Sequence, residues 1–225
     1  MNGSLGLDLL EQLLRRRDAD QTARSALLNG TADRHQVALA RIQAVDDDNA
    51  VWLRHVLGAW NWPGRSLVGD EGSHAAWLLA QHADRDPELQ QLCLKLLNDA
   101  VENGEASAVD LASLTDRVLL AKGENQIYGT QISVNDGQFV AHRLSDPETV
   151  DERRESVGLD RLDCFLRHVF DLYGPPSPAR IKCPSCFGEI EVWLPELGGR
   201  AEFKCASCHG AGTIRPLVRT TQVSS

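Results

Sequence analysis

Apolar residues recur every three or four positions through most of the first 172 residues, and the recurrence breaks where proline, glycine or a charge run intervenes. Leu9, Leu10, Leu13 and Leu14 form one stripe of a helix over 5–17, whose Arg15, Arg16 and Arg17 suit the negative end of its dipole. A second helix is expected from about Asp33 to Ala44. A third starts after the acidic Asp46-Asp47-Asp48, covers Ala50 to Ala59 and stops at Asn61-Trp62-Pro63-Gly64. Ser73 offers a cap for a helix running to about His82. Pro87 then opens a strongly periodic one through Leu89, Leu92, Cys93, Leu96, Leu97 and Ala100. Residues 107–121 and 159–172 carry the same period. Between them, Gln126–Leu144 reads as a β-hairpin with Asn135-Asp136-Gly137 as its turn.

The helical pattern ends at Gly174-Pro175-Pro176-Ser177-Pro178, which predicts a stiff extended linker over 174–179. Beyond it, Glu189–Leu194 alternates polar and apolar as a strand does. Gly198-Gly199 turns the chain, and Ala201–Lys204 can return antiparallel. The expected fold class is mainly α. A helical domain over 1–173 contains the small β-hairpin, a small β module follows over 180–219, and 220–225 form a flexible tail.

That module carries the most specific chemistry in the chain. Cys183-Pro184-Ser185-Cys186 and Cys205-Ala206-Ser207-Cys208 are two C-x-x-C pairs with 18 residues between them. Each pair is one tight turn offering two thiolates, and two such turns complete a tetrahedron about one ion. Gly188 and Gly210 follow their pairs and permit the positive φ that turns backbone N–H groups toward sulfur. The segment resembles a zinc ribbon, and Cys205–Gly212 also reads as one C-x-x-C-x-G-x-G repeat of the kind found in some J-domain co-chaperones. The resemblance implies structural Zn2+ held by Cys183, Cys186, Cys205 and Cys208. His209, beside a ligand, reads as a bystander, with replacement of one cysteine as the alternative. A redox pair is the duller alternative, and no βαβ pattern surrounds either pair to support it.

Composition changes the picture mainly through charge. The net charge of −9 argues against a chain whose main task is to coat nucleic acid or an anionic membrane. The charge is uneven, −11 over residues 1–179 and +2 beyond them, so the argument holds for the helical body only. No apolar run is long enough to span a bilayer, and the N-terminus lacks a basic region, so a cytoplasmic location with reduced thiols is expected. In the tail, Trp193 and Phe203 are either platforms for a partner or the core of a very small module.

Several short motifs mark the body: Asp20-Gln21-x-x-Arg24, Asn61-Trp62-Pro63, Ala76-Trp77-Leu78-Leu79-Ala80-Gln81-His82-Ala83-Asp84, Asp116-Arg117-Val118, Gln126-x-Tyr128-Gly129-Thr130-Gln131 and Asp151-x-Arg153-Arg154. Residues 9–172 resemble, on these motifs, an uncharacterised family of bacterial helical proteins, which implies no particular activity. The family usually has glycine where this chain has Asn61.

Candidate chemistry therefore rests on the side chains themselves. His82 falls on an apolar helix face. It is either a satisfied core histidine or a buried imidazole acting near neutral pH with a carboxylate to orient it. Tyr128 and Gln131 begin the hairpin and can bind a polar substrate or simply satisfy a turn. Gln81, Asp84, Arg24, Arg153 and Arg154 complete the candidate ligand-binding set, since guanidinium forks suit carboxylate or phosphate. Asp20 and Asp151 read as N-terminal helix acids. Cys164, His168 and Asp171 share one side of the last helix, and Trp52, Trp60, Trp62 and Trp77 are expected at the core. No H-E-x-x-H, G-x-S-x-G or phosphate-cradling glycine loop occurs. Two functions remain in view. In one, the helical domain binds, and by acid–base chemistry transforms, a small anionic or peptide-like ligand. In the other, a non-enzymatic adaptor uses its zinc ribbon to hold a protein or nucleic acid.

Overall fold

The computed structural model describes residues 2–28, 32–135, 138–141, 143–173, 178–182, 185–186, 189–193 and 201–214. Among these the protein is mainly helical, in the order α1 (Asn2–Leu28), α2 (Ala32–Trp60), α3 (Arg65–His82), α4 (Pro87–Glu102) and α5 (Ala108–Ala121). A two-stranded antiparallel hairpin follows, β1 (Ser133–Asn135) with β2 (Gln138–Val140), in register Val134 opposite Phe139. A 3-10 turn at Pro147–Thr149 leads into α6 (Val150–Ser156) and then α7 (Leu162–Tyr173). No helix among the described residues is long and apolar enough to cross a membrane.

The expected second and third helices are one. Asp46, Asp47 and Asp48 lie inside α2 because each meets an arginine: Asp46 meets Arg24, Asp47 meets Arg85 and Asp48 meets Arg16. α3 also starts earlier than Ser73. It begins at Arg65 behind Gly64, bends at Gly69 (φ 71°, ψ 174°), and buries Ser73, whose Oγ accepts from Trp62 Nε1 at 3.0 Å. Elsewhere the local signals decide. Asp86 caps α4 through the Leu89 N–H, Pro87 fills its first turn, and Ser107 caps α5. Asn61 ends α2 with φ 56°, the left-handed conformation that glycine favours and asparagine tolerates.

α1, α3 and the C-terminal part of α2 pack around Leu9, Leu13, Leu53, Leu57, Val68 and Leu79, with α4 and α5 adding Leu89, Cys93, Leu97, Leu114 and Val118. Of the four tryptophans expected at the core, only Trp62 is buried. Trp52 and Trp77 pack against the core from its edge, and Trp60 is exposed. A smaller cluster joins Ile132 and Phe139 of the hairpin segment to Val169 of α7.

A Cβ on Gly72 would stand 2.6 Å from Val68 Cβ of the preceding turn of α3 and 2.9 Å from Leu10 Cδ1 of α1. Gly72→Ala is therefore expected to cost about 1–3 kcal/mol by overpacking. Gly58 has nothing within 4 Å of the same position, so Gly58→Ala is expected to add about 0.5–1 kcal/mol through helix propensity. Thermal melts of the two variants should move in opposite directions.

Beyond α7 the strands are β3 (Pro178–Lys182), β4 (Glu189–Trp193), β5 (Ala201–Lys204) and β6 (Ala211–Ile214). β3 pairs with β4, with Ile181 opposite Ile190, and β5 pairs with β6, with Phe203 opposite Gly212. The expected return of 201–204 onto 189–193 is thus replaced by two separate hairpins. Gly174–Ser177, Gly198-Gly199, the tail at 220–225, the Asp136-Gly137 turn and the side chains of Trp193 and Phe203 lie outside the described residues.

Candidate functional site

Asp20 lies seven residues beyond Leu13, on the same buried stripe of α1, and is 0% exposed. A carboxylate there stays charged only if it is paired and hydrogen-bonded. Arg24, one turn further along α1, bonds one of its oxygens. His82, the last residue of α3, places Nδ1 3.0 Å from both oxygens, and Gln21 Nε2 donates at 2.9 Å. Arg24 also reaches Asp46 of α2 through Nη2, at 2.9 and 3.0 Å. Three helices therefore converge on one chain of polar groups, His82–Asp20–Arg24–Asp46.

The electrostatics separate these groups. Burial works to raise Asp20, but His82 and Arg24 overcome it and hold the carboxyl below its ordinary value. Burial lowers His82 despite Asp20, so the imidazole is neutral at neutral pH. Burial pushes Asp46 up to about 6 against the pull of Arg24. With an ionised Asp20 opposite Nδ1, the proton sits on Nδ1 and the lone pair on Nε2. His82 Nε2 has no hydrogen-bond partner among the described residues. The histidine lines a cleft of about 290 Å³ together with Asp46, Asp47 and Val51 of α2, and Arg85 and Asp86 of the α3–α4 turn.

The other candidates gather at the loop Gln126–Gln131, where most described contacts are internal. Asp116, fully buried on α5, accepts from the N–H groups of Ile127, Tyr128 and Thr130 at 2.7, 3.0 and 2.9 Å, and from the Thr130 hydroxyl at 2.9 Å. From the opposite side, Arg153 donates to the Ile127 carbonyl at 2.9 Å, and Arg154 to the Tyr128 carbonyl at 2.7 Å. Arg154 is buried against the Phe165 ring. Gly129 takes φ 68°, and a Cβ there would meet Ala141 at 3.1 Å. Gln131 donates to the Ser113 carbonyl and accepts weakly from Gln81 at 3.4 Å. Asp84 accepts from Gln90 at 3.2 Å and Arg117 at 3.4 Å. The Tyr128 hydroxyl makes no hydrogen bond among the described residues and does not line the His82 cleft.

The candidates thus divide. His82 and Arg24 meet on Asp20, whereas Arg153, Arg154 and Gln131 hold a loop. Asp20 is not an N-terminal helix acid, because α1 extends well to either side of it. Asp151 does open α6, and it also accepts from the Leu162 N–H at 2.8 Å. Cys164, His168 and Asp171 are exposed on the outer side of α7 with no hydrogen bond among them in the described residues. The missed partners were Asp20 and Asp46. The available signal for Asp20 was a carboxylate in phase with Leu9 and Leu13.

Residues 7–176 match a protein family of unknown function, DUF6624. The chain belongs to that family. No curated protein and no solved structure matches it. In this DUF6624 protein the matched stretch holds the whole His82–Asp20–Arg24–Asp46 chain and ends at the proline-rich break, before the C-x-x-C pairs.

Three of those cysteines can hold a metal. The thiols of Cys186, Cys205 and Cys208 lie within 4.8 Å of one another. Cys186 and Cys205 are 3.6 Å apart, too far for a disulfide and close to the sulfur–sulfur edge of about 3.8 Å that a tetrahedral zinc thiolate requires. Each hairpin contributes the turn between its strands, β3–β4 for Cys186 and β5–β6 for Cys205 and Cys208. The Cys205 N–H bonds the Gly210 carbonyl at 2.8 Å, and the left-handed residue in that turn is His209 (φ 56°), not Gly210. The backbone N–H groups of Cys208 and Ser207 bring the Cys205 thiol down to about 6 against burial. Cys183 and Gly188 lie outside the described residues.

Proposed function

We propose that the helical domain binds a small peptide-like ligand in the cleft beside His82 and transforms it by proton transfer at His82 Nε2. The observation that carries this reading is the fully buried Asp20 holding His82 Nδ1 at 3.0 Å in a ring that lines a cleft and whose Nε2 has no hydrogen-bond partner among the described residues. That arrangement fixes the ring, selects its tautomer and stabilises the imidazolium formed when a proton arrives. Charge narrows the ligand. The cleft carboxylates Asp46, Asp47 and Asp86 are each met by an arginine, namely Arg24, Arg85 and Arg54. An anion would have to displace one of them, whereas an amide or amine N–H can add to their spare oxygen lone pairs.

The test is a thermal-shift screen of the full chain against dipeptides and simple amides. A ligand at about 100 times its Kd is expected to raise Tm by about 5–10 °C. In His82→Gln the shift should vanish while the ligand-free Tm stays within about 3 °C of the parent. Turnover, followed by ligand consumption, should fall on the acid side as His82 takes up a proton. If His82→Gln melts much earlier and no probe stabilises the parent, His82 is a core histidine.

The cysteines support a second part of the reading. Four thiolates from Cys183, Cys186, Cys205 and Cys208 would close the coordination of one structural zinc ion, which would supply the folding energy that two short hairpins lack.

A further inference from the structure

The middle of α3 carries a second histidine held by a buried carboxylate. His74 Nδ1 lies 3.0 Å from both oxygens of Asp110, whose side chain is 7% exposed in the first turn of α5. The His74 ring stacks on Trp77 with centroids 4.7 Å apart, which fixes its plane. Its side chain is 54% exposed, and it lines a recess of about 240 Å³ that also contains Arg65, Asp70, Ser73 and Ser107.

We propose that this recess is a second binding site, for a small oxyanion such as the phosphate or carboxylate group of a metabolite. With Nδ1 committed to Asp110, only Nε2 can face a ligand, and in the imidazolium it is a donor. Arg65 supplies the second donor. Its Nη1 donates to the Gly104 carbonyl at 3.1 Å, and its Nε meets the Asp70 carboxylate, which is 81% exposed; an exposed pair of this kind is held weakly enough for a ligand oxyanion to take its place. Asp110 also lines the recess, and both of its oxygens are engaged by His74 Nδ1 at 3.0 Å, so its charge is met by the imidazolium.

The hydroxyls do not make the recess a nucleophilic site. Ser73 Oγ accepts from Trp62, and Ser107 Oγ caps Asp110. The proposal stands apart from the chemistry at His82, which faces a different cleft. The bond to Asp110 raises His74 against burial, so the cation persists to higher pH than in a free histidine. The charged groups facing it are Asp110 of α5, Arg17 of α1, and Arg65 and Asp70 of α3.

The test titrates the full, imidazole-15N-labelled protein with sulfate and, separately, with acetate, at constant ionic strength set by chloride. Both anions keep their charge between pH 5.5 and 8. The expected result is a saturable shift of His74 Nε2, with affinity at least tenfold weaker in Arg65→Gln and weaker at pH 8 than at pH 6. His82→Gln should bind as the parent does. Saturation by sulfate alone identifies a phosphate-type ligand, and saturation by acetate identifies a carboxylate. His74→Gln should also lose binding. If it does not fold, the exposed Arg65→Gln decides alone. Absence of saturation with both anions, or equal affinity in Arg65→Gln and parent, overturns the proposal and leaves the dyad as a brace between α3 and α5.

Discussion

Asp20→Asn is expected to destabilise the protein by about 3–5 kcal/mol, lowering Tm by about 10 °C or more, although it changes one atom. The loss follows from what the carboxylate holds. Without it, His82 Nδ1 and one edge of Arg24 face an amide at the centre of three helices, and an amide cannot accept from both while remaining the counter-charge. Asp48→Asn is the control. Asp48 pairs with Arg16 at 2.6 Å, but its side chain is 73% exposed, so its loss should fall within about 0.5 kcal/mol. The pH dependence of the parent supplies a second check. Asp20 is held below its ordinary value, so its contribution is present at neutral pH and disappears as pH falls through that lowered value. His82 is also lowered, so the unfolded chain takes up its proton first and stability falls as pH drops below the ordinary histidine range. Asp46 acts with the opposite sign. Its value of about 6 means that the folded state gains stability from protonation between about pH 6 and 4. Chemical denaturation of the parent and Asp46→Asn at pH 8, 6 and 4 should therefore show the parent losing less than Asp46→Asn on the step from pH 6 to 4.

The same residues show where sequence reading succeeds and where it stops. α4 and α5 were legible because cap, first-turn proline and apolar stripe are all local and agree. The continuity of α2 was not, because Asp46-Asp47-Asp48 looks like a helix start unless their arginine partners are known, and these lie on α1 and after α3. His82 stood out, and so did the need for a carboxylate beside it, but that carboxylate is 62 residues away. Arg153 and Arg154 make the complementary case. A guanidinium pair suits an anion equally well on paper, and only packing against Ile127 and Tyr128 shows that backbone carbonyls occupy it. The C-x-x-C turns were legible for the same local reason as the caps. Their strand partners were not, since Ala211-Gly212-Thr213-Ile214 carries almost no strand signal before its register opposite Ala201–Lys204 is seen.

Removing metal from the purified full chain is expected to unfold the two hairpins and leave the helical body intact. A module of this size has too little apolar surface to pay the entropy of ordering its chain, and structural zinc supplies about 10–16 kcal/mol in comparable small sites. Purified protein should therefore carry about one zinc per chain. Thiol reactivity then separates the six cysteines. Cys93 is fully buried and pushed up to about 12 by burial, so it stays inert in the folded body. Cys164 is exposed and reacts quickly with or without metal. Chelation should add four fast thiols, from Cys183, Cys186, Cys205 and Cys208, while the main thermal transition of the helical body moves by less than about 2 °C. Cys205→Ser should reproduce the chelated state, because losing one of four thiolates would open the proposed zinc tetrahedron. If the metal-free protein keeps slow thiols and dispersed amide signals over 178–214, the hairpins fold by their own packing and the ion is dispensable.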